Sequence, residues 1–250
     1  QAVGGSYRGR RLGSFGELAI FSFQHSKAMS TGEGGMVVTS DYALYKRCQA
    51  AHDIGHSEDF ERGGPPTVLW GLGTVMSELQ AAMGLVQLRK LPAITAAMRA
   101  AKYCLRRELA AVPGLTLRRI EDESGDNGTF LLTRYPDAEK AAAMARRLIE
   151  LGLTCGPQGR LVHYLPDWGF HLYSNIPQLT HKHSNSPDGF PWTHPQNRDA
   201  PWRYDKGTLP HSDALFARSV IQAIPSDTTA QDAQDMVAIY RQAAAQVLGA

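Results

Sequence analysis

The stretch Phe21-Ser22-Phe23-Gln24-His25-Ser26-Lys27-Ala28-Met29-Ser30-Thr31-Gly32-Glu33-Gly34-Gly35 places one lysine on a short loop between two strand-like runs, with a serine five residues before it. A glycine-rich turn follows, and then the apolar run Met36-Val37-Val38-Thr39. A lysine amine held in such a loop can form an imine with a carbonyl, and a serine hydroxyl at a strand end can bind a phosphate. Each feature alone is ordinary. Lysines among small polar residues are usually solvated, and glycine supplies positive φ wherever strands are tightly connected.

Outward from the loop, Glu17–Phe23 alternates and ends apolar, as a buried strand does, and Gly35–Ser40 reads as a second strand closed by Asp41. Asp41 caps a helical pattern running to about Ala51, and His52–Trp70 reads as a loop. A long helix starts near Ser77, with Gln80 three residues on completing a capping pattern. Pro92 is expected to break or kink it, leaving a second run from Ala93 to about Ala111. The Pro113-Gly114 pair then predicts a boundary between a domain over 1–112 and one over 113–250.

Beyond that boundary, Leu115–Ile120 and Thr129–Tyr135 read as strands, and Asp137–Leu151 as an amphipathic helix ended by Gly152. A strand over Ser219–Ile224 and a last helix over Thr229–Leu248, with Thr228-x-x-Gln231 as its capping box, complete a small α+β domain. Gly156–Pro210 lacks periodicity, and its concentration of histidine and tryptophan predicts an ordered but irregular segment.

The 250 residues are 43% hydrophobic and 20% charged, enough for a globular protein with a real core. A net charge of +2 gives no electrostatic case for a nucleic-acid or membrane partner. Cys48, Cys104 and Cys155 are odd in number and widely spaced, which suggests neither a disulfide framework nor a zinc site, so a reducing, cytoplasmic setting is expected. No apolar run reaches transmembrane length.

The lysine stretch, with Ser30-Thr31-Gly32-Glu33-Gly34-Gly35 as its turn, resembles the signature of the DegT/DnrJ/EryC1/StrS family of pyridoxal 5'-phosphate (PLP)-dependent sugar aminotransferases. The run Gln1-Ala2-Val3-Gly4-Gly5-Ser6-Tyr7-Arg8-Gly9-Arg10-Arg11-Leu12-Gly13-Ser14-Phe15-Gly16 resembles that family's approach to the same strand. The resemblance implies an α/β fold: a PLP-transferase large domain with a mixed, mostly parallel sheet, truncated at its N-terminal side, followed by a small α+β domain. It implies Lys27 as the catalytic lysine bearing the cofactor, Ser22 at the cofactor phosphate and Gln1 near the ring. It also implies that the aspartate facing the pyridine nitrogen and the stacking aromatic precede Gln1, so that this stretch alone would be inactive. A homodimer is expected, because the family's active site forms between subunits.

One departure stands out. Gly71-Leu72-Gly73-Thr74-Val75-Met76-Ser77-Glu78-Leu79-Gln80 resembles a family segment in which an asparagine reaches the partner's phosphate. Gly73 holds that position here and Val75 that of an arginine, which puts the clamp in doubt or shifts it to Thr74. His171-Leu172-Tyr173-Ser174-Asn175-Ile176-Pro177 and Lys206-Gly207-Thr208-Leu209-Pro210 look similar to the branch that aminates an oxidised 3-deoxy-manno-octulosonate (Kdo) sugar. His171, Tyr173 and Asn175 are therefore candidate substrate contacts, with structural packing as the plainer alternative. A nucleotide-linked keto-sugar or a cyclitol ketone suits the resemblance equally, with glutamate or glutamine as amino donor. His181-x-His183 could bind an ion but lacks a carboxylate or cysteine at supporting spacing, so no metal is expected. Two rivals remain: a sugar dehydratase of the same fold, whose members replace the lysine with histidine, and a non-catalytic binding or regulatory protein.

Overall fold

In the computed structural model, which describes residues 1–63, 69–155, 159–199 and 202–249, the lysine stretch is a β-hairpin. It lies in the first of two units, formed by Gln1–Tyr103, Arg119–Thr129 and Ile224–Ala230. The second unit contains Cys104–Arg118, Phe130–Ala223 and Gln231–Ala250.

The first unit opens with a ribbon, β1 (Ser6–Tyr7) antiparallel to β2 (Arg10–Arg11). In the lysine hairpin, β3 (Ala19–Ser22) runs antiparallel to β4 (Gly35–Val38), with Ser22 opposite Gly35. Gly35 is a close-approach position, because a Cβ there would stand 2.8 Å from the Phe21 carbonyl oxygen. The alternation of Glu17–Phe23 predicts a buried strand, yet Ile20 is 81% exposed, and Met36 and Val37 are also exposed. Among the described residues no third strand joins this hairpin, which leaves its outer edges unpaired. Every strand pair described is antiparallel, so these strands do not form the parallel part of the expected sheet.

Asp41 caps α1 (Tyr42–His52) as its position predicts, accepting from the Leu44 N–H at 2.9 Å. The following loop contains one helical turn, α2 (Glu58–Glu61), and its residues 64–68 lie outside the described residues. The capping pattern at Ser77 forms reciprocally: the Gln80 side-chain oxygen accepts from the Ser77 N–H (3.1 Å), and the Ser77 hydroxyl oxygen accepts from the Gln80 N–H (3.3 Å).

Pro92 does not divide the helix that follows, α3 (Glu78–Leu109), which runs 32 residues through it. An interior proline costs about 3 kcal/mol through its missing N–H and its ring. Burial of Leu91, Met98 and Ala101 opposes that loss, at about 1.5–3 kcal/mol for each large side chain. Thr95 adds a bond at the same turn, its hydroxyl donating to the Leu91 carbonyl at 3.0 Å.

One turn further on, Lys102 is 2% exposed and pairs at 2.5 Å with Asp126 of the 119–129 segment. Arg99 donates to the carbonyls of Glu123 and Asp126, and the Tyr103 hydroxyl donates to the Glu123 carbonyl at 3.2 Å. Three residues of one helix thus grip one turn.

The second unit is built on an antiparallel sheet of order β5-β6-β10-β9, where β5 is Thr116–Leu117, β6 is Phe130–Arg134, β9 is Val162–Tyr164 and β10 is Ser219–Ala223. A small pair, β7 (Thr154–Cys155) with β8 (Gly159–Arg160), stands apart from it. Ser219, Val220, Ile221 and Gln222 are all buried, so the centre of this sheet is covered on both faces. Against it lies α4 (Ala138–Glu150), capped by Asp137 and presenting Ala141, Met144, Ala145 and Leu148 at helical spacing. Gly152, at φ +96°, ends that helix region as expected.

Short helices α5 (Pro177–Thr180), α6 (Pro195–Arg198) and α7 (Pro210–Ala217) punctuate the irregular stretch, of which 156–158 and 200–201 are outside the described residues. The last helix, α8 (Ala230–Val247), lacks the expected Thr228–Gln231 box. The Thr228 hydroxyl instead donates to the Pro225 carbonyl (2.8 Å) and the Gln231 amide to Asp235 (2.9 Å), because the helix starts one residue later than the pattern requires.

Gln222 is fully buried, and its Oε1 has no hydrogen-bond partner among the described residues. Among the described residues its amide nitrogen meets only the Met236 sulfur, at 3.3 Å. Gln222→Leu should therefore raise stability by about 1 kcal/mol in urea unfolding, since it removes a desolvated acceptor while filling the same space.

Candidate active site

The loop carrying Lys27 closes on its own strand. The Phe23 N–H donates to the Gly34 carbonyl (2.8 Å), and the Thr31 N–H (2.9 Å) and Ser30 hydroxyl (3.2 Å) both donate to the Phe23 carbonyl. Buried Thr31 donates its hydroxyl to the Glu33 carbonyl at 2.6 Å, and the Gln80 amide donates to that same oxygen at 2.9 Å. The loop is anchored through Phe23 and Met29, which bury with Leu91 and pack against Val3, Phe21 and Met76. Lys27 thus stands between two buried anchors.

Its N–H donates to the Gln24 carbonyl at 2.9 Å, so a tight turn follows the strand end that carries Ser22. Lys27 is partly buried, and among the described residues no carboxylate forms an ion pair with it. Among the described residues the Ser22 hydroxyl oxygen accepts only a long bond from the Gln24 N–H (3.4 Å), which leaves its own proton available. Gln1 is brought to the same place. Its backbone nitrogen lies within electrostatic reach of the Lys27 ammonium. Asn127 holds the Gln1 backbone, donating to the carbonyls of Gln1 (2.6 Å) and Val3 (3.2 Å).

His25 is exposed; the Gln24 amide donates to its Nδ1 at 2.8 Å, and Glu33 lies 3.8 Å away. A cavity of about 740 Å³ opens beside the hairpin, lined by Ile20, Phe21, Met36, Tyr45, His52 and Met76 among others, and neither Lys27 nor Ser22 lines it.

His171, Tyr173 and Asn175 belong to the second unit. His171 stacks on Trp168 at 4.0 Å, with its Nδ1 2.9 Å from the Trp168 carbonyl. The Tyr173 hydroxyl donates to Asp213 (2.8 Å) and accepts from the Leu209 N–H (3.3 Å). The Asn175 amide donates to the carbonyls of Pro166 and Gly169. These bonds brace the irregular stretch, leaving His171 Nε2 and Asn175 Oδ1 open among the described residues. His181 and His183 stack at 5.6 Å, and no three potential metal ligands gather among the described residues.

At the departure noted in the sequence, Thr74 donates its N–H to the His52 carbonyl (2.8 Å), with its hydroxyl 3.4 Å from the same oxygen. A Cβ at Gly73 would meet only Ile54, at 3.8 Å, whereas one at Gly71 would fall 2.3 Å from the Ala50 carbonyl oxygen. Gly73→Asn should therefore leave Tm unchanged in a thermal melt, while Gly71→Ala should lose about 2 kcal/mol or more through backbone displacement.

Sequence reading missed Thr31, Asn127 and the second role of Gln80. The Asn127-Gly128 pair signals a turn, but nothing local indicates a partner 126 residues away.

A GDP-perosamine synthase of Escherichia coli O157:H7 is 41% identical over 90 residues, covering 36% of this chain and 24% of that protein. An L-glutamine:2-deoxy-scyllo-inosose aminotransferase of Micromonospora echinospora is 37% identical over 145 residues, covering 49% of this chain and 34% of its own length. A Streptococcus pneumoniae protein solved in its PLP form shares the fold, with a TM-score of 0.69 at 18% identity, over 98% of this chain and 56% of that one. The chain therefore spans well under half of these two curated relatives. The DegT/DnrJ/EryC1/StrS aminotransferase family matches over residues 1–187, and the chain belongs to that family.

Proposed function

We propose that this protein carries PLP on Lys27 and moves an amino group from glutamate or glutamine to the ketone of a sugar or cyclitol. The observation that carries the reading is a partly buried lysine amine with no carboxylate partner among the described residues, on a clamped loop after a strand that ends in a free serine hydroxyl. That donor set suits a cofactor bringing one carbonyl and one phosphate, which is the chemistry PLP presents. The relatives' names support the acceptor class: one makes a GDP-linked amino sugar, the other uses glutamine and a cyclitol ketone.

Bound PLP supplies an aldehyde that condenses with amines and a ring that stores the electron pair released at the substrate carbon. The chain's own residues do the rest. Lys27 Nζ, once free as a neutral amine, would carry the proton from the donor's carbon to the cofactor's carbon, and in the opposite direction, from the cofactor's carbon to the acceptor's, in the second half of the reaction. Ser22 would hold the phosphate through its hydroxyl, and Gln1, on the segment beside Lys27, would face the ring. The buried pair Phe23 and Met29 keeps the loop from moving away, which preserves the approach of the amine. His171 and Asn175 are candidate partners for acceptor hydroxyls through Nε2 and Oδ1, with Tyr173 as their brace. The proposed setting is a homodimer in the cytoplasm, in keeping with the free thiols of Cys48 and Cys104. No helix among the described residues is long and apolar enough to cross a membrane.

The test is addition of PLP to the purified protein, with visible absorbance recorded, followed by a panel of keto-sugars and cyclitol ketones with glutamate and glutamine as donors. Lysine-attached absorbance and amination of at least one ketone are expected. No such absorbance with PLP in excess would end the cofactor reading. Absorbance with loss of a sugar hydroxyl instead of gain of an amine would favour the dehydratase.

A further inference from the structure

We propose that Asn127 is a positioning residue for the Lys27 site: its amide fixes the Gln1–Val3 backbone, while the buried Lys102–Asp126 pair fixes the turn that carries Asn127. The inference rests on the Lys27 reading above and adds to it a residue far along the chain. All the contacts belong to one unit of the fold.

The Asn127 side chain offers two N–H donors and two acceptor lone pairs, and all four are used. Its Nδ2 donates to the carbonyls of Gln1 (2.6 Å) and Val3 (3.2 Å). Its Oδ1 accepts from the Thr129 N–H (3.2 Å) and hydroxyl (2.8 Å). A rotated amide would set its oxygen against two carbonyl oxygens and its nitrogen against two donors, so only one orientation satisfies the network. The bond to Thr129 is what an ordinary Asx turn needs. The two bonds to Gln1 and Val3 are not, because no turn requires them.

The same turn holds the N-terminal segment at two further points. The Ser6 N–H donates to the Gly125 carbonyl (2.8 Å), and the Arg8 N–H donates to Asp122 (2.6 Å). The approach is close enough that a Cβ at Gly125 would fall 1.9 Å from the Ser6 carbonyl oxygen. On the other side, Val3 packs on the cluster of Phe23, Met29 and Leu91, which also anchors the Lys27 loop. Asn127 therefore sets where Gln1 stands relative to Lys27. Behind it, Lys102, Arg99 and Tyr103 of α3 hold the turn in place.

Asn127→Asp is the sharpest probe, since it keeps the acceptor toward Thr129 and the size of the side chain but removes the donor. Hydrogen exchange without cofactor should show the Gly5 and Ser6 amides exchanging about tenfold faster, with β10 and α8 unchanged. In the PLP-loaded protein, cofactor affinity should fall about five- to tenfold in Asn127→Asp and in Gln1→Ala, with no further fall in the double variant. That non-additivity separates positioning of Gln1 from general loosening. Unchanged exchange at Gly5 and Ser6 would overturn the proposal. So would an Asn127→Asp effect that persists at full size in the Gln1→Ala background.

If wild-type protein attaches no PLP, the Lys27 reading and this role toward it fail together, while exchange still reports the anchoring separately. Asn127 is only partly buried, so the variant should fold. If it does not, Thr129→Val, which removes the hydroxyl bond to the amide oxygen and keeps the backbone one, is read by the same two measurements.

Discussion

Lys27→Ala is expected to abolish the visible absorbance of lysine-attached PLP and to lower amino transfer by at least about 10³-fold, with Tm little changed. Chemistry and stability separate here because the Lys27 ammonium is in no ion pair among the described residues, while the loop is held by Phe23, Met29 and backbone bonds. Surface substitutions away from such anchors usually stay within about 0.5 kcal/mol. No neighbour can replace the amine. The His25 ring is engaged by Gln24, and the Ser26 hydroxyl donates to the Gln24 side-chain oxygen at 2.6 Å. Lys27→Arg should not rescue, since a guanidinium keeps the charge but stays protonated and is no nucleophile. Lysine-attached absorbance surviving in Lys27→Ala would move the site elsewhere, and a large fall in Tm would recast Lys27 as structural.

Asp126→Ala should cost about 3–5 kcal/mol in urea unfolding, a large share of the stability of an ordinary domain. Lys102 is 2% exposed, so removing the carboxylate takes the ion-pair partner from an ammonium that water barely reaches. Tyr103 and Arg99 deepen the loss, because both lean on the same turn. Replacing the pair is a different matter. Lys102→Met combined with Asp126→Leu removes both desolvation penalties and should come within about 1 kcal/mol of wild type. The pair therefore matters for where the 122–127 turn sits more than for net stability. If Asp126→Ala and the double variant lose the same amount, geometry and not charge would be the cause.

The local features of this fold were legible in advance. Asp41, Asp137 and the Ser77–Gln80 box start their helices, and Gly152 ends one, because capping depends on residues within a turn of each other. Pro92 misled for the converse reason. Its local cost is real, but the outcome was set by buried partners of α3 far away in sequence. Ile20 misled in the same way, since alternation marks a strand face without saying whether anything covers it.

The site divides along the same line. The order of Ser22, Lys27 and the glycine turn is a local pattern, so the chain announced its family and, with it, the lysine and hydroxyl proposed for the site. Local order cannot say that Met29 and Phe23 are the anchors, that Gln80 closes the glycine turn, or that Asn127, beyond the long helix and braced by Lys102 on it, holds the Gln1 backbone. Those contacts exist only once distant segments have folded together, because a hydrogen bond or an ion pair is specified by distance and angle in space and leaves no mark at a fixed spacing along the chain.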